Sequence, residues 1–324
     1  MTLQQLRYLR EVVRHGLNIS EAAKSLFTSQ PGISKQLRSL EEELGVEIFS
    51  RDHGRITALS KPGKTILAIA ERMLNDADNL KQVATEFSAD VTGNLVIATT
   101  HTQARYALPE VLKRFAARCP HVSVQLRQGN TREVSQLVTS GDADIAIATD
   151  ALTFFENLVV IPCHSWERVV ITGRKHPLLK EKKLTLERIA QFPIIAYDHE
   201  FAARQMLVRA FKEKGLTPNI VLSALDADVM KACVAIDLGI AILTKLAFDP
   251  RRDRNLRAID ASHLFESSTT FVGIRRNTFL RRYMYDFIET FSPRLDRGAI
   301  DEAMGRVARG PRMPALSGGY RPKQ

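Results

Sequence analysis

The chain has 324 residues, 44% of them hydrophobic, enough to bury full cores in two or three units of ordinary size, and carries a net charge of +10. No run of about 18 apolar residues occurs, and Met1 to Arg7 lacks the basic-then-apolar layout of a secretory signal, so a membrane span is excluded and a cytoplasmic location is expected. Cys119, Cys163 and Cys233 lie far apart with no histidine at ligand spacing, which reads as reduced packing residues and argues against a metal site.

From Leu3 to about Leu44 the pattern is short helices. Leu3, Leu6, Leu9 and Val12 fall at helical spacing, Ser20 is the expected cap of the segment through Leu26, and a third helix runs to Gly45. The small residues Ala22-Ala23 suit the close helix crossing of a helix-turn-helix. Thr28 or Ser29 caps the next helix, Pro31 is tolerated in its first turn, and Ile33, Leu37 and Leu40 face inward. Its other face carries Gln30, Ser34, Lys35 and Arg38, side chains suited to base edges and phosphates in a major groove. Two extended runs, Val46–Phe49 and Ile56–Leu59, flank a glycine turn and read as a wing whose Arg51, His53 and Arg55 reach flanking backbone or minor groove. Residues 1–64 hold ten Lys/Arg against seven Asp/Glu, a balance of only +3, so DNA contact depends on placement rather than bulk charge. The alternative reading is an ordinary amphipathic helix pair.

Pro62-Gly63 opens a long helix over 64–88, with Leu67, Ala70, Leu74, Ala77, Leu80, Ala84 and Phe87 three or four apart. That stripe needs a partner, either the downstream domain or the same helix of a second subunit, and the second suits a homo-oligomer. From Gly93 strands alternate with helices: an α/β region with mainly parallel sheets and two lobes, the crossover lying near Cys163 to Ser165 and the strand at Thr270–Ile274 returning to the first lobe. The expected units are 1–60, a winged helix-turn-helix; 61–90, a linker helix; and 91–293, an effector-binding body with lobe I at 91–163 and 269–293 and lobe II at 164–268. After Pro293 the Arg-, Gly- and Pro-rich residues 294–324 read as a disordered basic tail.

One segment of the body asks for an anion. The strand Leu95–Ala98 runs into Thr99-Thr100-His101-Thr102-Gln103 and then a helix, so hydroxyls, an amide and free backbone N–H groups converge at a positive helix end. Hydrogen bonds and partial charges there can hold sulfate without any arginine. Simple N-capping of the helix is the competing reading. An enzyme is disfavoured: no G-x-G-x-x-G, phosphate loop, G-x-S-x-G elbow or H-E-x-x-H occurs, and His101 beside threonines specifies no oxyanion hole, so no catalytic residue is assigned.

The run Thr28-Ser29-Gln30-Pro31-Gly32-Ile33-Ser34-Lys35-Gln36, with Leu40-Glu41, Leu44-Gly45, Ile48-Phe49-Ser50-Arg51 and Pro62-Gly63, resembles the head of LysR-type transcriptional regulators. Ala98 to Pro109, Gly141 to Thr149, Asp226-Ala227-Asp228-Val229 and Leu280 to Phe287 are similar to the branch that comprises the CysB regulators of the cysteine regulon and the sulfonate-utilisation regulators. The likeness spans about residues 1–293. It implies a winged helix-turn-helix joined to a two-lobed, periplasmic-binding-protein-like (type 2) body, assembled as a homotetramer, a dimer of dimers. It also implies double-stranded promoter DNA of sulfur-assimilation genes as partner, with RNA polymerase a further one. No cofactor is implied beyond a small effector, O-acetylserine, N-acetylserine or a sulfate- or thiosulfate-like anion. In that reading Ser20, Thr28, Ser29, Gln30, Ser34, Lys35, Arg38, Arg51 and Arg55 contact DNA. Thr100, Thr102, Gln103, Gly129, Thr149, Trp166 and Ala202 line the effector site, although for Trp166 a packing role is an equal alternative. One departure stands out: where cysteine-regulon regulators carry threonine at the start of the second lobe's helix, this chain reads Glu200-Phe201-Ala202-Ala203-Arg204, and Asp198-His199 just before it bear on the pocket's charge.

Overall fold

The computed structural model describes residues 1–52, 54–86, 92–149, 152, 155–199 and 201–306, with only the backbone given at 81, 82 and 84–86. His53, Phe87, Glu200 and the tail beyond 306 therefore lie outside the described residues, as does the side chain of Ala84. The chain divides into a unit of residues 1–89 with 277–279 and a unit of the remainder, each treated by itself.

In the first unit, α1 (Leu3–Arg14) opens with a reciprocal cap in which Thr2 accepts from the Gln5 amide and Gln5 accepts from the Thr2 amide. The cap of α2 (Ile19–Ser25) is Asn18, whose side chain accepts from the amides of Ser20 and Glu21. Ser20, expected in that role, instead lies one residue inside the helix, because a carboxamide oxygen at Asn18 reaches two of the orphan amides at once. Ser29 caps α3 (Gln30–Leu44), which stops at Gly45 with φ +67°, a left-handed conformation that glycine adopts without a Cβ clash. Strands β1 (Phe49–Asp52) and β2 (Arg55–Leu59) pair antiparallel, with a bulge between Ser50 and Arg51.

The long helix α4 (Lys61–Glu86) carries Pro62-Gly63 in its first turn: Ser60 accepts from the Gly63 amide at 2.9 Å and Pro62 needs no partner there. Gly63 is required sterically: a Cβ there would lie 2.0 Å from the Ile48 carbonyl oxygen. The apolar stripe finds a partner that the sequence reading did not consider. Ala70 and Leu74 are buried in the same cluster as Leu6, Leu9, Ile33 and Leu37, so the first half of α4 packs back on the head itself. Leu80 remains 73% exposed, and Ile69 and Met73 are exposed as well.

The second unit contains two five-stranded sheets. The first comprises β3 (Gly93–Thr99), β4 (Val122–Gln128), β5 (Ile145–Thr149), β6 (Leu158–Trp166) and a late strand, Ser268–Arg275, in the order β4-β3-β5-late-β6. The second comprises β7 (Arg168–Gly173), β8 (Ile194–Tyr197), β9 (Ile220–Ala224), β10 (Ile240–Thr244) and β11 (Leu256–Asp260), in the order β11-β7-β10-β8-β9; the late strand is β12. Each sheet has two parallel and two antiparallel pairings, which corrects the expectation of mainly parallel sheets. The cause is topological: β6 runs straight into β7 and β12 comes back from the second lobe, so neither arrives by the helical crossover that a parallel neighbour needs. Strand β6 stays in the first sheet through Trp166, paired with Ser268, so the chain crosses lobes at Glu167, beyond the expected Cys163 to Ser165.

Helices α5 (Leu108–Arg118), α6 (Thr131–Ser140), α7 (Leu186–Ile189), α8 (Ala202–Glu213), α9 (Ala227–Ala235) and α10 (Arg282–Phe291) fall where the apolar periodicity places them. Two elements escaped the sequence reading. Strand β11 is a half-exposed edge following an arginine-rich run, and α11 (Arg297–Ala303) lies in the segment read as a structureless tail. That expectation fails for residues 294–306: Asp296 caps α11, Ile300 is fully buried in the first lobe's core, and Tyr285 donates to Asp301 at 2.5 Å.

Candidate DNA-reading face and ligand cleft

On α3 the buried residues Ile33, Leu37 and Leu40 hold one side of the helix against the head, which leaves Gln30, Ser34, Lys35 and Arg38 on the other. Gln30 Nε2 donates to Ser34 Oγ at 3.3 Å, so these two polar tips are aligned one turn apart. Thr28 and Ser29 are exposed at the start of α3, Ser20 is exposed on α2, and Arg55 is exposed on the wing. Phe27 is 98% exposed in the turn between α2 and α3 at φ +51°. Arg51 is differently engaged. Its guanidinium grips the buried Glu41 of α3, Nη2 to Oε2 at 2.6 Å and Nη1 to Oε1 at 3.3 Å, while Glu41 Oε1 also accepts from the amides of Ile48 and Phe49. Arg51 thus ties the wing to the helix that carries the reading face.

In the body, a cavity of about 360 Å³ opens between the lobes. Thr100, Thr102, Gln103, Thr149 and Ala202, all foreseen, line it. Trp166 and Gly129 do not. The Trp166 indole donates to Thr270 Oγ1 at 3.0 Å, and the same oxygen accepts from the lining residue Gln103 through Nε2 at 2.8 Å, so Trp166 stands two hydrogen bonds behind the wall. Gly129 donates to the Thr99 carbonyl and is packed against Glu133, too closely for a Cβ. Asp198 and His199 bind each other at 2.7 Å and do not line the cavity either.

The turn before α5 explains how the first lobe's residues converge. Residues Gln103–Ala107 form a π-helical turn in which the Leu108 amide bonds the Gln103 carbonyl five residues back. Pro109 lacks the N–H that would bond the Arg105 carbonyl, and such widened turns recur at functional sites. No side chain caps this turn, so capping does not account for its hydroxyls. The Thr102 hydroxyl instead meets Tyr197 Oη of the other lobe at 3.2 Å. Among the described residues, the buried side-chain atoms without a partner include His101 Nδ1, Gln103 Oε1 and Thr244 Oγ1, and all three residues line the cavity. Buried polar atoms are nearly always satisfied, so this concentration leaves bonding capacity in the cavity wall for a polar ligand or water.

Arginine, which the turn does not need to hold an anion, is nevertheless present. Arg168, 5% exposed, lines the cavity, as does Arg209, which pairs with Glu266 at the rim. Burial pushes the Tyr197 hydroxyl above its usual range and nearby Arg168 partly offsets this, so the group stays a neutral donor. Arg168, Tyr197 and Thr244 were missed as site residues although their positions carry a signal. Tyr197 and Thr244 end apolar parallel strands as Thr99 and Thr149 do, and Arg168 begins a strand whose next three residues are Val-Val-Ile. Ligands of open α/β folds gather at such strand ends. Among the described residues, no three His, Cys, Asp or Glu are placed to hold a metal ion, and no helix is long and apolar enough to cross a membrane.

A winged helix-turn-helix head and a two-lobed body with a polar cleft are together the build of a ligand-responsive transcription regulator. Residues 3–64 match the family described as bacterial regulatory helix-turn-helix protein, lysR family, and residues 88–296 match the LysR substrate binding domain. The transcriptional regulator SsuR of Burkholderia cenocepacia is 48% identical over 300 residues, covering 93% of this chain and 97% of the relative. The regulator CysB of the same organism is 46% identical, covering 94% and 97%. The regulator Cbl of Escherichia coli is 43% identical, covering 89% and 92%. The solved cofactor-binding domain of the Cbl transcriptional regulator superposes with TM-score 0.64 at 39% identity, covering 66% of this chain and 94% of that one. Full-length OxyR of Pseudomonas aeruginosa, at 19% identity, shares the fold with TM-score 0.66 over 90% of this chain and 93% of that one. The chain belongs to the LysR family of bacterial transcriptional regulators.

Proposed function

We propose that this regulator controls genes of sulfur assimilation or sulfonate utilisation by binding a small sulfur anion or acetylated serine in the interlobe cleft. The cluster of unsatisfied polar atoms beside a buried guanidinium carries this reading, and the likeness to SsuR, CysB and Cbl supports the sulfur assignment. Ala202 at the cleft, in place of the threonine of cysteine-regulon regulators, removes a hydroxyl and opens space, which favours the sulfonate-related variant of this function. Thermal-shift screening of sulfate, thiosulfate, O-acetylserine, N-acetylserine, adenosine phosphosulfate and alkanesulfonates, followed by promoter binding with each hit, tests it. Thr100→Ala and Thr102→Ala are each expected to weaken the hit about three- to tenfold, the worth of one hydrogen bond. Unchanged affinity in both would sink the assignment.

At the DNA, Gln30, Ser34, Lys35 and Arg38 are assigned to the major groove, with Ser20, Thr28, Ser29 and Arg55 on flanking phosphates. Ser34→Ala or Lys35→Ala should cost about 1–3 kcal/mol at the operator if the side chain reads a base. A phosphate contact should instead weaken all sequences alike and flatten the salt dependence. Operator titration at several salt concentrations decides, and unchanged binding in both variants refutes the placement. Because the head is nearly neutral, several heads must act together, and the exposed Leu80, Met73 and Ile69 of α4 are assigned to a homo-oligomer contact. Sedimentation velocity of Leu80→Glu should show a shift toward smaller species, and an unaltered assembly would remove α4 from the contact.

A further inference from the structure

Two runs singled out in the sequence, Ala104-Arg105-Tyr106-Ala107 and Asp226-Ala227-Asp228-Val229, are absorbed by neither the DNA-reading face nor the ligand cleft. The fold brings them together. Tyr106 belongs to the first lobe, yet it packs against the hydrophobic cluster of the second, which includes Ala227, Met230 and Ala247. Its hydroxyl donates to Asp228 Oδ1 at 2.5 Å, and Arg105 Nε meets Asp228 Oδ2 at 3.2 Å. Beneath the ring, Lys231 Nζ lies 4.9 Å from the centroid and is itself held by Asp253 at 2.9 and 3.0 Å and by Asp228 at 3.4 Å. Asp226 caps α9 by accepting from the amides of Asp228 and Val229, which presents Asp228 to the other lobe.

The ranking of these contacts follows from their surroundings. Arg105 and Asp228 are about half exposed, so their ion pair contributes little by itself. The Tyr106 knob is different: a half-buried aromatic ring packs against the opposite core, its face is met by a buried ammonium and its tip by a carboxylate. Burial and the bond to Asp228 push the Tyr106 hydroxyl far above its usual range, so it remains a donor at any physiological pH.

The same short turn, Gln103–Ala107, holds a cleft residue at one end and this knob three residues on, so a shift at Gln103 moves Tyr106 with it. Only Glu167 and the 261–267 segment otherwise connect the lobes through the chain, a pair of connections suited to a hinge. We propose that Tyr106, seated between Asp228 and Lys231, is an interlobe clasp that holds the cleft closed and sets effector affinity by controlling its release. The proposal rests on the ligand-cleft reading for its functional consequence and on the interlobe contacts alone for its existence.

Full-length Tyr106→Phe, which keeps the ring, and Asp228→Asn, which keeps the shape, test it singly and combined. In the ligand-free chain, amide exchange in residues 103–107 and 227–235 should quicken about tenfold in Tyr106→Phe, and the double variant should fall short of the product of the two single effects, since the Tyr106–Asp228 bond is perturbed in both singles. With sulfate and O-acetylserine as probes, dissociation should speed up by a similar factor while association stays within about twofold. Wild-type exchange in both segments, additive effects in the double variant, or a change confined to association would overturn the clasp. If the wild type binds neither probe while exchange responds as expected, the clasp stands and sulfate and O-acetylserine are removed as effectors.

Discussion

Glu41→Ala is expected to destabilise the head by about 2–4 kcal/mol and to weaken operator binding at least roughly tenfold, although residue 41 need not touch DNA. The Glu41 carboxylate is the acceptor for two buried amides, Ile48 and Phe49, and for the Arg51 guanidinium. Truncation leaves both amides without a partner and frees the wing from α3. Burial acts to raise this carboxyl's pKa, but the bonds from Arg51 and the two amides outweigh it and hold the group below its ordinary 4.5. A depressed folded-state pKa means that the contribution is complete above the ordinary value and is lost as pH falls through the depressed one. Hydrogen exchange of the full chain at Ile48 and Phe49, followed from pH 7 downward, reads this directly. Exchange as slow as in the wild type would show that the carboxylate does not anchor the wing. Glu41→Gln keeps an acceptor for the amides and should fall between the two.

Arg168→Met is expected to lower the affinity for an anionic effector about 10- to 150-fold, the worth of a charge-assisted bond of about 1.5–3 kcal/mol in a shielded cleft. The side chain is 5% exposed at the first position of β7, beside the crossover and directly opposite Thr244 in the sheet. Arg168→Lys retains the charge without the planar fork and should recover only part of the loss. Sulfate titration by calorimetry, with melting measured alongside, separates binding from folding. Methionine is close in bulk, and removing a buried charge often leaves stability little changed. Undiminished sulfate affinity in Arg168→Met would show that the guanidinium does not recognise the anion.

Local chemistry made most of the head legible. The apolar spacing of Leu6, Leu9, Ile33, Leu37 and Leu40, the Ser29 cap, Pro31 and the Gly45 stop each act within a turn or two of chain, so the helices and the exposed face of α3 follow from the residues themselves. The body's alternation of strand and helix was legible for the same reason, as was the run Thr100 to Gln103 at a strand's end. What stayed hidden depends on partners distant in sequence. The bond of Arg51 to Glu41 joins residues ten apart on a strand and a helix, a pairing that helical or strand spacing does not predict. Trp166 falls behind the cleft wall because β6 continues to pair with β12 through that residue. Ile300 organises a helix in a segment of tail-like composition because the first lobe's core has room for it.

The DNA-reading face, proposed from sequence, needed only a helix with one buried side. The ligand cleft needed two sheets to meet. Periodicity determines which side of an element is buried, because that depends on neighbours three or four residues away. It carries no information on what lies across a cleft, so the buried Arg168, the Thr102 bond to Tyr197 and the seat of Tyr106 against Asp228 were decided by the tertiary structure alone.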